Sequence, residues 1–279
     1  MKVTEHAYAK VNLVLRVGSP RADGLHPLCS IFASLELADL VTVEEAGEDG
    51  LVCPGVEGPN LASEAVSAFR SNVPDLVPLK VTIEKRIPVA AGMGGGSADA
   101  AAVLRAANEL SGARLRAGDL RRLAAGLGSD VASQVEPRHA LVSGIGEEVV
   151  PLGLPRMALV LLPQEDGLST ARVFEQLDRL RAQSAVPRGA PLDPEPLRRL
   201  AGTPLAELAR GVENELGPAA IALRPELGPA LESLRGAGAL AAEVTGSGPT
   251  TFGLFHDRAA ADVAASRLPG AIVTEARAS

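Results

Sequence analysis

Aromatic residues are scarce in this 279-residue chain: no tryptophan, one tyrosine and five phenylalanines. Its cores must be built from Leu, Val and Ala, and rings on which a base could stack are few. Cysteine is nearly absent too, and Cys29 and Cys53 are too few for a disulfide framework or a thiolate metal site. The histidines at 6, 26, 139 and 256 show no ligand spacing, so no zinc centre is predicted. No apolar run approaches the length of a membrane span, and the opening Met-Lys-Val-Thr-Glu-His lacks a signal peptide's apolar region. A cytoplasmic protein without membrane contact is expected. Positive charge is in deficit, with a net charge of −7 and no basic run, which argues against nucleic acid as the main partner. Lysine is rarer still, with four (2, 10, 80 and 85) against 23 arginines. Where one sits in an apolar strand, a compact ammonium is a candidate requirement.

A hydrophobic content of 46% and a mean hydropathy of +0.16 fit a well-packed chain of one large or two modest domains. The most informative stretch is Pro88-Val89-Ala90-Ala91-Gly92-Met93-Gly94-Gly95-Gly96-Ser97-Ala98, followed by Asp99. Before it, Val81, Ile83 and Lys85 alternate with their neighbours as a strand does, and after it residues 97–110 are mostly good helix formers. A strand thus feeds a glycine loop, which opens a helix capped by Ser97 or Asp99. Glycines hold no Cβ between a ligand and the backbone, and their N–H groups can turn inward beside the helix's positive end, which makes a phosphate cradle. No Gly-Lys-Ser/Thr follows, so this is not a P-loop, and Ser97 stands where a dinucleotide fingerprint needs its third glycine. The alternative is a glycine-rich connection that holds nothing.

In chain order, residues 7–17 alternate as a strand, with Val11, Leu13, Leu15 and Val17 on one face and Lys10 and Asn12 on the other. That second face is either solvated or a binding surface. Asp23-Gly24 marks a tight turn ahead of His26, which is either a binding contact or an ordinary surface residue. Strands over 31–37 and 40–45 are joined by a turn at Ala38-Asp39, and Asn60 or Ser63 caps a helix running to Arg70. A helix follows from Asp119 to Gly126 or Gly128, and Asp130 opens a short one. Asp130 is an N-cap, a fixed ionised carboxylate, or both. Beyond Pro151-Leu-Gly-Leu-Pro155 the pattern changes, which places a boundary between domains 1–153 and 154–279. In the second domain, strands at 157–162, 239–245, 251–256 and 271–275 and helices at 171–183 and 257–268 give β-α-β-β-α-β, a ferredoxin-like sandwich. Added to it are a proline-rich loop at 187–196 and helices near 195–201, 204–210 and 226–235.

A cradle alone suits a nucleotide-binding module. With Lys10 and Asp130 added it suits phosphoryl transfer, where a protein works chiefly by positioning and charge stabilisation. The run Pro88-x3-Gly-Met-Gly-Gly-Gly-Ser-Ala resembles the second motif of the GHMP kinases. Ala9-Lys10-Val11-Asn12-Leu13, Arg21-Ala-Asp-Gly24-x-His26, Leu127-Gly-Ser-Asp130-Val and Thr245-Gly246-Ser247-Gly248 are similar to the branch that phosphorylates a CDP-linked methylerythritol. The resemblance spans nearly the whole chain in order. It implies an α+β fold of two domains, an N-terminal ribosomal-S5-like ATP domain and a C-terminal ferredoxin-like one, with the substrate in the cleft between them. It further implies ATP and Mg²⁺, a small-molecule substrate phosphorylated on its 2-hydroxyl, and Lys10 and Asp130 as the catalytic pair. Residues 88–98 would hold ATP, with Ser97 a candidate for the metal. Asn12, His26, Phe174, Thr245, Gly246 and Ser247 would bind the substrate, His26 and Phe174 at the cytosine. For Phe174 the other reading is a core position on its helix. The chain departs from the family pattern at Leu25, where a tyrosine is usual, and at Ala90 and Ala91, which replace glycines. Other kinases of the family, acting on homoserine, mevalonate or a sugar, and a catalytically silent nucleotide-binding protein are the competing readings.

Overall fold

A computed structural model describes residues 1–187 and 192–278; residues 188–191, inside the expected proline-rich loop, and Ser279 lie outside the described residues. The chain forms two compact units that interleave along the sequence. The first comprises 1–9, 37–89 and 94–137, and the second comprises 10–36, 90–93 and 138–279. Two long strands, β1 (Lys2–Val17) and β2 (Leu28–Glu45), contribute to both.

In the first unit, β3 (Gly50–Val52) pairs parallel with β4 (Leu79–Glu84), and β4 pairs antiparallel with β2 through Val41–Ile83 and Val43–Val81. Four helices complete it: α1 (Leu61–Arg70), α2 (Gly95–Ser111), α3 (Ala117–Ala125) and α4 (Val131–Gln134). Asn60 caps α1, its side chain accepting from the Ala62 N–H. Six alanines of α2 (98, 100, 101, 102, 106 and 107) are buried in a core with Val41, Val43, Val81, Ile83 and Phe69. Alanine is the best helix former, and its short side chain lets backbones approach closely.

Two sequence expectations change here. The expected turn at Ala38-Asp39 is continuous strand, because the Asp39 carboxylate is buried and accepts from the N–H groups of Arg86 and Ile87 and from Lys85 Nζ. The expected cap of α2 by Ser97 or Asp99 is not formed. The helix starts earlier, at Gly95, with Gly94 in the N-cap place at φ +71°, a left-handed backbone that glycine adopts without strain.

In the second unit, β7 (Ala158–Leu162), β9 (Ala241–Val244), β10 (Thr251–Phe255) and β11 (Ile272–Glu275) form a sheet in the order β11-β7-β10-β9, with every neighbour antiparallel. With α5 (Thr170–Ala182) after β7 and α10 (Arg258–Ala265) after β10, this is the expected β-α-β-β-α-β frame. Between α5 and β9 lie α6 (Pro194–Ala201), α7 (Leu205–Arg210), β8 (Glu213–Asn214), α8 (Gly217–Leu223) and α9 (Leu227–Gly236). A hairpin of β5 (Ala140–Gly144) and β6 (Glu148–Pro151) extends the second unit's part of β2, and β8 runs parallel beside β1. Among the described residues no helix is long and apolar enough to cross a membrane.

Candidate functional site

The glycine loop is divided between the units, Ala90–Met93 with the second and Gly94 onward with the first. In the second unit Gly92 has φ +74°, and a Cβ there would stand 2.5 Å from the Gly248 carbonyl oxygen and 2.9 Å from that of Thr245. Glycine is required at this point by contact as well as by backbone. The Met93 carbonyl accepts from the Lys10 N–H at 3.0 Å, tying the loop to β1.

Lys10 and Asn12 share a face of β1, as their spacing predicts, but the face is not solvated. Their exposures are 4% and 3%. Lys10 Nζ donates to Asn12 Oδ1 at 2.8 Å and lies 4.5 Å from the Phe32 ring centroid. Asn12 Nδ2 donates to Ser30 Oγ, and its backbone N–H donates to Thr245 Oγ1 at 3.1 Å. A Cβ on Gly246 would be 3.7 Å from Lys10 Nζ. The second glycine turn therefore passes close to the ammonium, and its φ of +59° and the Gly92 carbonyl 3.3 Å from such a Cβ favour glycine there. Thr245 is fully buried, and Ser247 Oγ meets Thr170 Oγ1 at 2.9 Å. His26 packs on Phe174 with centroids 4.9 Å apart, so Phe174 reaches a candidate binding residue from a place partly inside its own core. Leu25 is largely exposed.

In the first unit the loop becomes the N-terminus of a 17-residue helix. Gly96 is exposed, and a Cβ on it would meet nothing within 4 Å. The first N–H groups of a helix lack intrahelical partners, and with the positive helix end and the open space over Gly96 they can receive an anion. Ser97 is half-buried in the helix's first turn.

Sequence reasoning missed what lies beneath this turn. Lys85 Nζ bridges two buried carboxylates, Asp39 and Asp99, the latter at 2.8 Å. A Cβ on Gly95 would sit 3.4 Å from that ammonium. One ammonium cannot neutralise two carboxylates, and Asp39 also has two backbone donors whereas Asp99 Oδ1 has none. Burial accordingly pushes the Asp99 carboxyl up to about 7 against the pull of Lys85. Burial pulls Lys85 down, but the carboxylates outweigh it and its pKa is raised. The signal available in the sequence was Lys85 itself, one of four lysines and placed just before the loop.

Asp130, in the same unit, occupies the N-cap position of the four-residue α4, yet its side chain makes no cap hydrogen bond, and its carbonyl accepts from Ser133 Oγ. A capping task therefore does not account for this half-buried carboxylate. Among the described residues no three His, Cys, Asp or Glu side chains gather as a metal cage.

A glycine turn that opens a long helix in one unit, and a ferredoxin-like sheet in the other, define an α+β protein of two units. Its relatives make the class specific. The GHMP kinases N terminal domain family matches residues 60–137, and the GHMP kinases C terminal family matches 197–273. The 4-diphosphocytidyl-2-C-methyl-D-erythritol kinase of Mycolicibacterium smegmatis is 43% identical over 96% of this chain and 86% of its own length. That of Streptomyces avermitilis is 40% identical over 96% of this chain and 93% of its own. The crystal structure of a 4-(cytidine 5'-diphospho)-2C-methyl-D-erythritol kinase is similar with a TM-score of 0.81 and 34% identity, covering 98% of both chains. This chain belongs to the GHMP kinases.

Proposed function

We propose that this protein transfers the γ-phosphoryl group of ATP to the 2-hydroxyl of 4-(cytidine 5'-diphospho)-2-C-methyl-D-erythritol, a step of the non-mevalonate route to isoprenoid precursors. The observation that carries the reading is near-full-length identity of 40–43% to kinases of that name, in a chain that carries Lys10, Asp130 and the loop 88–98.

In this reading the loop's N–H groups and the α2 terminus hold the β- and γ-phosphates. The acceptor oxygen attacks the γ-phosphorus, the bond to the β–γ bridging oxygen breaks, and ADP leaves. Asp130 accepts or orients the hydroxyl proton, and Lys10 stabilises charge on the transferring group. Supporting these roles are a Lys10 ammonium held by Asn12 and an Asp130 carboxylate fixed at the head of α4, where it makes no cap hydrogen bond. Asn12, Thr245, Gly246 and Ser247 we assign to the acceptor's polar part, and His26 and Phe174 to its base.

Mg²⁺ commonly binds through one or two protein oxygens plus substrate phosphates, and the Ser97 hydroxyl, in the first turn of α2, is the candidate protein ligand. When bound, the ion would neutralise phosphate charge. We assign ATP binding to residues 1–153, which also lend Asn12 and His26 to the acceptor, and the rest of the acceptor site to 154–279; the two family matches fall on either side of that division. A cytoplasmic location, with a small molecule as partner, completes the proposal. Phosphorus NMR of the protein incubated with ATP, Mg²⁺ and the CDP-alcohol tests it: a new phosphomonoester on the 2-oxygen is expected, and an unchanged CDP-alcohol spectrum would contradict it.

A further inference from the structure

His26 lies on the segment joining β1 to β2, and its imidazole is gripped by one face of α5. Phe174 packs on the ring at a tilt of 39°, and four residues further along the helix Asp178 places Oδ1 3.0 Å from His26 Nε2. Residues spaced i, i+4 share a helix face, so the aromatic ring and the carboxylate reach the imidazole together. The His26 side chain is 7% exposed and that of Asp178 40%.

A carboxylate accepts hydrogen bonds and cannot donate them, so Nε2 carries the hydrogen and donates to Asp178. In the neutral ring, Nδ1 is then a bare acceptor. Among the described residues Nδ1 makes no hydrogen bond, since Asp178 and Phe174 are the partners of this ring. An acceptor nitrogen pairs with an amino group and is repelled by a carbonyl oxygen. Cytosine and uracil differ in that respect, by an exocyclic amine against an oxygen at one ring position.

We propose that Asp178 is a positioning residue for base specificity. By holding His26 as the Nε2–H tautomer, it turns Nδ1 into an acceptor for the cytosine amino group and against the uracil carbonyl. The inference rests on the functional reading above in taking His26 to the base. It names a residue outside the family motifs, and a site of this kind rejects the wrong base because a buried acceptor would be left facing another acceptor.

The test uses the full-length protein in three forms: wild type, Asp178→Asn and Asp178→Glu. An asparagine can offer Nε2 either an oxygen or an N–H, so it no longer dictates the tautomer. KM and kcat are measured for the CDP-linked alcohol and its UDP-linked counterpart. Imidazole ¹⁵N shifts are recorded alongside, with His26 assigned by its loss in His26→Gln. Wild type should show His26 as Nε2–H. Asp178→Asn should show mixed tautomers, a KM for the CDP-alcohol raised about tenfold with kcat within twofold, and a lowered KM for the UDP-alcohol. Asp178→Glu should recover part of the selectivity. The proposal is overturned by an Nδ1–H His26 in wild type, or by equal KM changes for both substrates. If wild type turns over neither substrate, the functional reading fails, while the ¹⁵N shifts still decide whether Asp178 sets the tautomer.

Discussion

Asp130 and Asp99 lie in the same unit, and their surroundings give them opposite work. Asp130 is half-buried at the head of a one-turn helix that it does not cap. Asp130→Asn keeps the volume and removes the basicity, so kcat should fall by about 10²- to 10⁴-fold, the range general-base catalysis supplies, while the Kd for ATP stays within about threefold. Steady-state kinetics with nucleotide titration would check this, and an unchanged kcat would reduce Asp130 to a structural residue. Asp99 is buried against Lys85, and its carboxyl is pushed up to about 7 from an ordinary 3.8. Between those pH values the native state holds a proton that the unfolded state has released. The stabilisation tied to that proton is complete on the acid side and is lost as pH rises through about 7. Asp99→Asn does not titrate, so wild type should lose stability relative to it between pH 5 and pH 8 in chemical denaturation. A difference independent of pH would contradict the shared-ammonium account of Asp39, Lys85 and Asp99.

At the scale of elements, the glycine loop does two jobs at different positions. Gly92 is structural: its φ of +74° and the 2.5 Å approach of the Gly248 carbonyl leave no room for Cβ. Gly92→Ala should cost about 1–3 kcal/mol or more in strain and displaced backbone, read by denaturant titration. Gly96 has an ordinary backbone and no atom within 4 Å of a Cβ, so Gly96→Ala should leave stability unchanged or improve it by up to about 1 kcal/mol. Its methyl group would intrude where phosphate approaches, and KM for ATP should rise about tenfold or more. An unchanged KM would show that the loop's open face is not the phosphate surface. The strand, loop and helix were readable because periodicity and glycine chemistry are local. The start of α2 was not, since Gly94 supplies the left-handed N-cap place that Ser97 or Asp99 was expected to fill. The short elements β3, β8 and α8 carry too few residues to show a period and depend on tertiary pairing. Asp39 reads as a turn residue because its three donors arrive from sequence positions far away.

For the whole molecule, the β-α-β-β-α-β order was legible from strand and helix spacing, and the sheet order β11-β7-β10-β9 completes it. The interleaving of the two contact units was not legible. It arises because β1 and β2 run on through both, and strand length beyond the alternating stretch leaves little mark in composition. Nor could the sequence say that the Lys10 face of β1 is buried, because a solvated face has the same alternation; burial follows from Thr245, Ser30 and Phe32, distant in sequence. The acceptor is the claim on which the rest depends, and Leu25, where the branch has a tyrosine, is the place at which a different acceptor would enter. A coupled ADP-release assay comparing the CDP-linked methylerythritol with homoserine and mevalonate tests it most directly. The account predicts ATP turnover with the CDP-alcohol and a kcat/KM at least about 10³-fold above either rival, as expected where a site is built for one polar substrate. No turnover with the CDP-alcohol, while homoserine or mevalonate is phosphorylated, would contradict it.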